Sequence, residues 1–346
     1  MQGNQDVEFR KLQVTGGSTM IVSLPKDWVQ RNRLSKGEVV CMQHLVSGDL
    51  RISPLTNNET KSIVTIDPSD KETELNDLLI GIYLTGCDII NIQSSKSIST
   101  IARTKIREFL RDSRGMEIEY EDDKKITIIS ILNPAELRLQ VSVNRMYILI
   151  SSLVKDSFDV LKGDDASILF DIDDRERQID ARRLLIERQV AASIHSPSVE
   201  RFLAVSRYSA MEHSNIARVL ERMGDHAVRL ATLANEYGRI VKMKTTEYPL
   251  LAIDEWAKQM KILVHNMYTK DVSIIHGCKR SLSALRIEIE SAEYEHYTGR
   301  GSVERLFAEF KISESIRRLC AYGINFAESL INILMYEQVR LESGWN

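Results

Sequence analysis

At 346 residues the chain is too long for one ordinary hydrophobic core and predicts two or three domains. Its 43% apolar and 27% charged residues are those of a globular protein, and its formal net charge of −3 excludes a molecule that is cationic as a whole. Any contact with a polyanion must therefore come from a local basic surface.

The polar start MQGNQDVEFRK has no apolar signal core, and the richest apolar stretch, 146–154, soon meets Lys155 and Asp156. Cys41, Cys87, Cys278 and Cys320 are widely spaced and form no CxxC pair, which suits a reducing compartment. The expectation is a cytoplasmic protein without membrane insertion.

Residues 8–14 and 18–24 predict two short strands around Gly16-Gly17, and Pro25 opens a short helix, KDWVQRN. EVVCMQHL and DLRIS predict two further strands around the turn signal Ser47-Gly48-Asp49. A β-β-α-β-β unit of this size, 1–55, is marginal as an independent core and is expected to complete one by dimerising. Between Phe9 and Lys36 the basic residues Arg10, Lys11, Lys26, Arg31, Arg33 and Lys36 face Asp27 alone. Such a surface suits phosphate contacts on DNA, and equally suits a solvated face.

Residues 56–133 predict a small α/β domain of order βαβαββ: KSIVTI, a helix over 72–84, DIINIQ, a helix over 101–111, MEIEYE and KKITIISIL. From Pro134 onward, 134–346, the chain reads as all-α. Asn133-Pro134 and Ser196-Pro197 offer helix starts. Ile172, Ile179 and Ile186, with Ile168 and Val190, make one apolar stripe; Ile216, Leu220, Met223, Ala227 and Leu230 make another. After Pro249 the arrangement repeats, with a helical stretch over 254–292, a break over 298–301 and a helix over 303–340. Two bundles, near 134–246 and 250–342, result.

Glu176 and Asp180 stand four apart, as do Glu221 and Asp225, so each pair shares a helix face. Adjacent anions at a core edge repel unless a cation compensates. Surface ion pairs with Arg175, Arg177, Arg182, Arg183 and Arg222 are the plainer account of the same spacing. No nucleophile elbow, zinc-protease helix or phosphate loop occurs, and no catalytic residue is assigned.

Two resemblances add to this reading. The run Arg10-Lys11-Leu12-Gln13-Val14-Thr15-Gly16-Gly17-Ser18, then Val22-Ser23-Leu24-Pro25-Lys26-Asp27-Trp28 and Leu34-Ser35-Lys36-Gly37-Glu38, resembles the AbrB/SpoVT swapped-hairpin family. Ser18 and Thr19 stand where many bacterial members carry an extra arginine. The resemblance implies a homodimer that binds DNA through Arg10, Lys11, Lys26, Arg31 and Arg33.

Glu176-Arg177-Gln178-Ile179-Asp180 and Glu221-Arg222-Met223-Gly224-Asp225-His226 resemble the two acidic helix motifs of the PhoU family. That resemblance implies two three-helix bundles, with Glu176, Asp180, Glu221 and Asp225 as candidate ligands for iron or zinc. In the second bundle Ala321 and Asn325 take the acidic positions, so a cation is expected at the first bundle only or at neither. The combined expectation is a multidomain regulator of phosphate uptake: a swapped-hairpin β module, a small α/β domain and an all-α domain. Its implied partners are DNA, a second copy of the chain, and a phosphate ABC transporter or its ATPase. The alternatives are a transporter accessory protein that leaves DNA alone, and a carboxylate-bridged metalloenzyme whose one ExxH pair would be Glu293 and His296.

Overall fold

A computed structural model describes residues 8–44, 48–55, 61–69, 72–132, 137–241, 243–296 and 302–342. The chain forms two compact units, Met1–Thr60 with Arg340–Asn346, and Lys61–Val339.

In the first unit β1 (Gln13–Thr15) pairs antiparallel with β2 (Thr19–Ile21), α1 covers Lys26–Arg31, and β3 (Val40–His44) pairs antiparallel with β4 (Leu50–Pro54). Gly16 and Gly17 turn the first hairpin with φ of 60° and 91°, values that glycine adopts without strain. The first two strands span three residues each, less than the stretches 8–14 and 18–24 that the sequence pattern predicts. No described side chain of 8–55 is buried, although Val14, Met20, Ile21, Val39 and Met42 are large and apolar.

The second unit begins with a four-stranded sheet of order β5-β6-β8-β7, with β5 (Ile63–Ile66), β6 (Ile89–Gln93), β7 (Met116–Glu121) and β8 (Lys125–Ser130). β5 and β6 run parallel, joined through α2 (Leu75–Leu84); β8 pairs antiparallel with both β6 and β7. Leu75, Leu79 and Tyr83 recur every four residues on α2, and Ala102, Ile106 and Phe109 line α3 (Thr100–Asp112). Together they bury Ile90, Ile92, Ile126 and Ile128 of the two central strands. Ser99 caps α3 by accepting from the Ala102 amide.

The helical part packs α4 (Leu139–Lys162), α5 (Ile172–His195) and α7 (Arg207–Tyr237) as one bundle, with the short α6 (Pro197–Leu203) between the last two. Pro197 sits in the first turn of α6, where Ser196 accepts from the Val199 amide. Ile168 falls in a 3-10 turn before α5 rather than on its stripe, and is 37% exposed. The second bundle is α8 (Ala252–Thr269), α9 (Val272–His296) and α10 (Val303–Glu342). The stretch expected as one helix over 254–292 breaks at Lys270, whose φ of 57° ends α8, and the Asp271 carboxylate accepts from the Ile274 amide to start α9. The expected helix start at Asn133-Pro134 and the break over 298–301 lie outside the described residues. Among the described residues no helix is long and apolar enough to cross a membrane.

α5 is the element shared by all of this. From Leu184 to Val190 every residue is buried, because the helix is covered on one side by α4 and α7 and on the other by the α/β layer. Leu184 joins the core of the α/β layer, whereas Ile179, Ile186 and Val190 join that of the bundle.

Candidate functional site

The acidic site is built where α5 meets α7. Gly224 makes the approach close: a Cβ there would lie 3.1 Å and 3.2 Å from the Ile179 side chain. The missing side chain lets the Glu221–Asp225 face of α7 come up beside the Glu176–Asp180 face of α5.

The four acids share one electrostatic field. Burial, then the neighbouring Glu221, raises the Asp180 carboxyl to about 6, with Asp225 and Glu176 adding to the rise and Arg183 opposing it. Burial and then Asp225 raise Glu221. Asp225 stays at the surface as a residue, yet partial desolvation against the helices and then Glu176 raise it too. The charges crowd.

The ion-pair account covers this only in part. Arg183 reaches Glu221 at 3.6 Å, and its other contact is Glu187 at 3.0 Å. Arg175 is held by Asp156 and Asp171, and Arg177 by Asp174. Among the described residues Glu176, Asp180 and Asp225 have no ion pair.

An oxygen-only donor set of this kind favours hard or borderline cations. The geometry is not closed: among the described residues no three His, Cys, Asp or Glu side chains converge on one cation position. Arg183 and Arg222 supply the positive charge that opposes the crowding of Glu221 and Asp225.

His226 turns away from the acids. Its ring lies 5.7 Å from that of Tyr322 on α10, its Nδ1 is buried without a partner, and burial followed by Arg318 lowers its pKa. Beside Ala321 and Asn325 on α10, among the described residues, no three His, Cys, Asp or Glu side chains converge. Glu293, half of the ExxH pair, accepts from the Ser313 hydroxyl at 2.7 Å and faces Arg317 at 3.6 Å; the His296 side chain lies outside the described residues.

Sequence reasoning missed Glu187, the best-paired acid here. It is 8% exposed and accepts from Arg218 Nε at 2.7 Å as well as from Arg183. The only signal was its i,i+4 spacing from Arg183, which many exposed pairs share.

The basic residues of the first unit, Arg10, Lys11, Lys26, Arg31 and Arg33, are all exposed. Arg10 pairs with Glu8, while among the described residues the other four have no ion pair.

No curated protein matches the chain. The crystal structure of PhoU from Pseudomonas aeruginosa is similar over 57% of this chain and 95% of its own, at 17% identity and a TM-score of 0.41. That of the phosphate transport system regulatory protein PhoU from Streptococcus pneumoniae is similar over 60% of this chain and 94% of its own, at 16% identity and a TM-score of 0.42. Residues 143–234, which hold all four acids of the site, match the family described as the PhoU domain.

Proposed function

We propose that the protein is a phosphate-responsive regulator that senses through its helical half and acts through a dimeric, DNA-binding N-terminal unit. The observation that carries the reading is the PhoU-domain match over 143–234, which takes in both acidic runs. On this reading Glu176, Asp180, Glu221 and Asp225 form a regulatory surface, and an iron or zinc ion is a candidate for relieving their mutual repulsion. A phosphate ABC transporter or its ATPase is the candidate partner of the helical half. The reaction is binding, and no residue is assigned to catalysis.

Two features support the N-terminal role. Large apolar side chains of 8–55 lie exposed in the single chain, as a half-built core would leave them. Lys11, Lys26, Arg31 and Arg33 are exposed and, among the described residues, unpaired.

The test is a DNA-binding titration across salt concentrations. A DNA reader gives a steep slope that charge reversal at Lys26 and Arg31 flattens. Absence of binding at low salt removes the DNA arm and leaves the accessory reading, in which the hairpins serve dimerisation alone. Genome-wide mapping of bound DNA at high and low phosphate tests the response. An unchanged pattern refutes it.

A further inference from the structure

A cavity of about 620 Å³ opens between the α/β layer and the first bundle, walled by the turn from α3 into β7, the end of β8, α4 and α5. Its lining carries five arginines against two acids, Glu117 and Asp174. Asp174 is already engaged by Arg177 at 3.5 Å and by the Gln178 amide at 2.7 Å. Among the described residues Arg114, Arg145 and Arg182 have no ion pair at all, and they come from three different elements.

The arrangement is costly for the protein's own side chains. The Nε atoms of Arg114 and Arg182 are buried and without a hydrogen-bond partner, and so is the Ser113 hydroxyl, on a residue only 7% exposed. Burial, opposed in part by Tyr83, and then the charge of Arg145 depress Arg114. A fold gains nothing from gathering desolvated like charges around unused donors, whereas a bound anion would satisfy all of them. The turn is fixed in place by Gly115, whose φ is +75° and where a Cβ would lie 2.3 Å from Leu132.

We propose that this cavity is a binding site for a phosphorylated organic anion of nucleotide size. Guanidinium forks and a hydroxyl match phosphoryl oxygens, and Arg is the side chain suited to bidentate phosphate contact. The volume lies within the range of small-molecule sites, roughly 300–1,000 Å³, and exceeds what inorganic phosphate alone would fill. Leu110, Met116 and Leu185 supply an apolar wall for the organic part. The site is separate from the acidic surface and does not rest on the regulatory reading. Its loss would leave the DNA titration unchanged.

The test is calorimetric titration of the full chain with ATP, AMP, inorganic phosphate and adenosine, repeated on Arg182→Gln and Arg145→Gln. Arg145 is exposed on α4, so its variant has little packing to lose. The expected result is binding of ATP or AMP, with adenosine and inorganic phosphate weaker and each variant weaker by about tenfold. Failure of both nucleotides to bind overturns the proposal. So does equal affinity for inorganic phosphate, or nucleotide affinity unchanged in both variants.

Discussion

Arg188 lies with its guanidinium 4.8 Å from the ring centre of Tyr83 and donates to that residue's carbonyl oxygen at 2.8 Å. A second donation reaches the Cys87 carbonyl, also at 2.8 Å. Tyr83 in turn donates its hydroxyl to the Arg114 carbonyl at 3.0 Å, and burial pushes its phenol up to about 12. One chain of contacts therefore runs from α5 through α2 to the turn that walls the arginine-lined cavity.

Arg188 is 3% exposed and its charge rests on backbone carbonyls and a ring face rather than on a carboxylate. Arg188→Met keeps the packing, leaves the Cys87 carbonyl without its donor and leaves the Tyr83 carbonyl with the Gly86 amide alone, so the chain should lose about 2 kcal/mol of stability. Urea unfolding followed by circular dichroism measures it. An unchanged midpoint would show that the α/β layer and α5 do not depend on this contact.

Gly224→Val places a branched side chain where a single Cβ already approaches Ile179 at 3.1 Å. The helices α5 and α7 must separate or Ile179 must leave its rotamer, at about 1–3 kcal/mol. Thermal unfolding reads the loss. A variant as stable as the parent would mean that the helix contact has slack that the backbone does not suggest.

Asp180 holds its proton to about 6 in the folded chain against 3.8 as its ordinary value. A carboxyl raised in this way stabilises the fold fully below the lower value, and that contribution is lost as pH rises through the higher one. Asp180→Asn should therefore gain about 1 kcal/mol over the parent near neutral pH, after allowance for solvent screening, and almost nothing near pH ~3.5. Denaturant melts across this range would show a difference that opens between those two values. A difference independent of pH would place the effect elsewhere.

Val14 and Met20 face each other across the first hairpin, 63% and 61% exposed. In a lone chain Met20→Glu should be nearly neutral, within about 0.5 kcal/mol. In a dimer that buries this face it should drive dissociation, since an unpaired carboxylate would enter the new core. Sedimentation velocity of parent and variant distinguishes the two. A monomeric parent removes the dimer.

Some of this protein was written locally. The stripe Ile216, Leu220, Met223, Ala227 and Leu230 is wholly buried on α7, Ser196 and Pro197 begin α6, and the glycine pair turns the first hairpin. These follow from helix period, capping and left-handed φ, which a short window of residues fixes. The four-residue spacing of Glu221 and Asp225 likewise put them on one face without any knowledge of a neighbour.

The break of the long helical stretch at Lys270 was not legible, because a single left-handed residue leaves no pattern when it is not glycine. Nor was the double role of α5. Successive residues turn by roughly 100° around a helix, so Asp180 and Arg182 point to nearly opposite sides. Sequence fixed that divergence but could not say what lies on either side. Only the packing of α7 on one face and the α/β layer on the other made Asp180 part of an acidic surface and Arg182 part of a cationic cavity. Arg114, Arg145 and Arg182 belong to no motif, and long-range contacts alone bring their charges together.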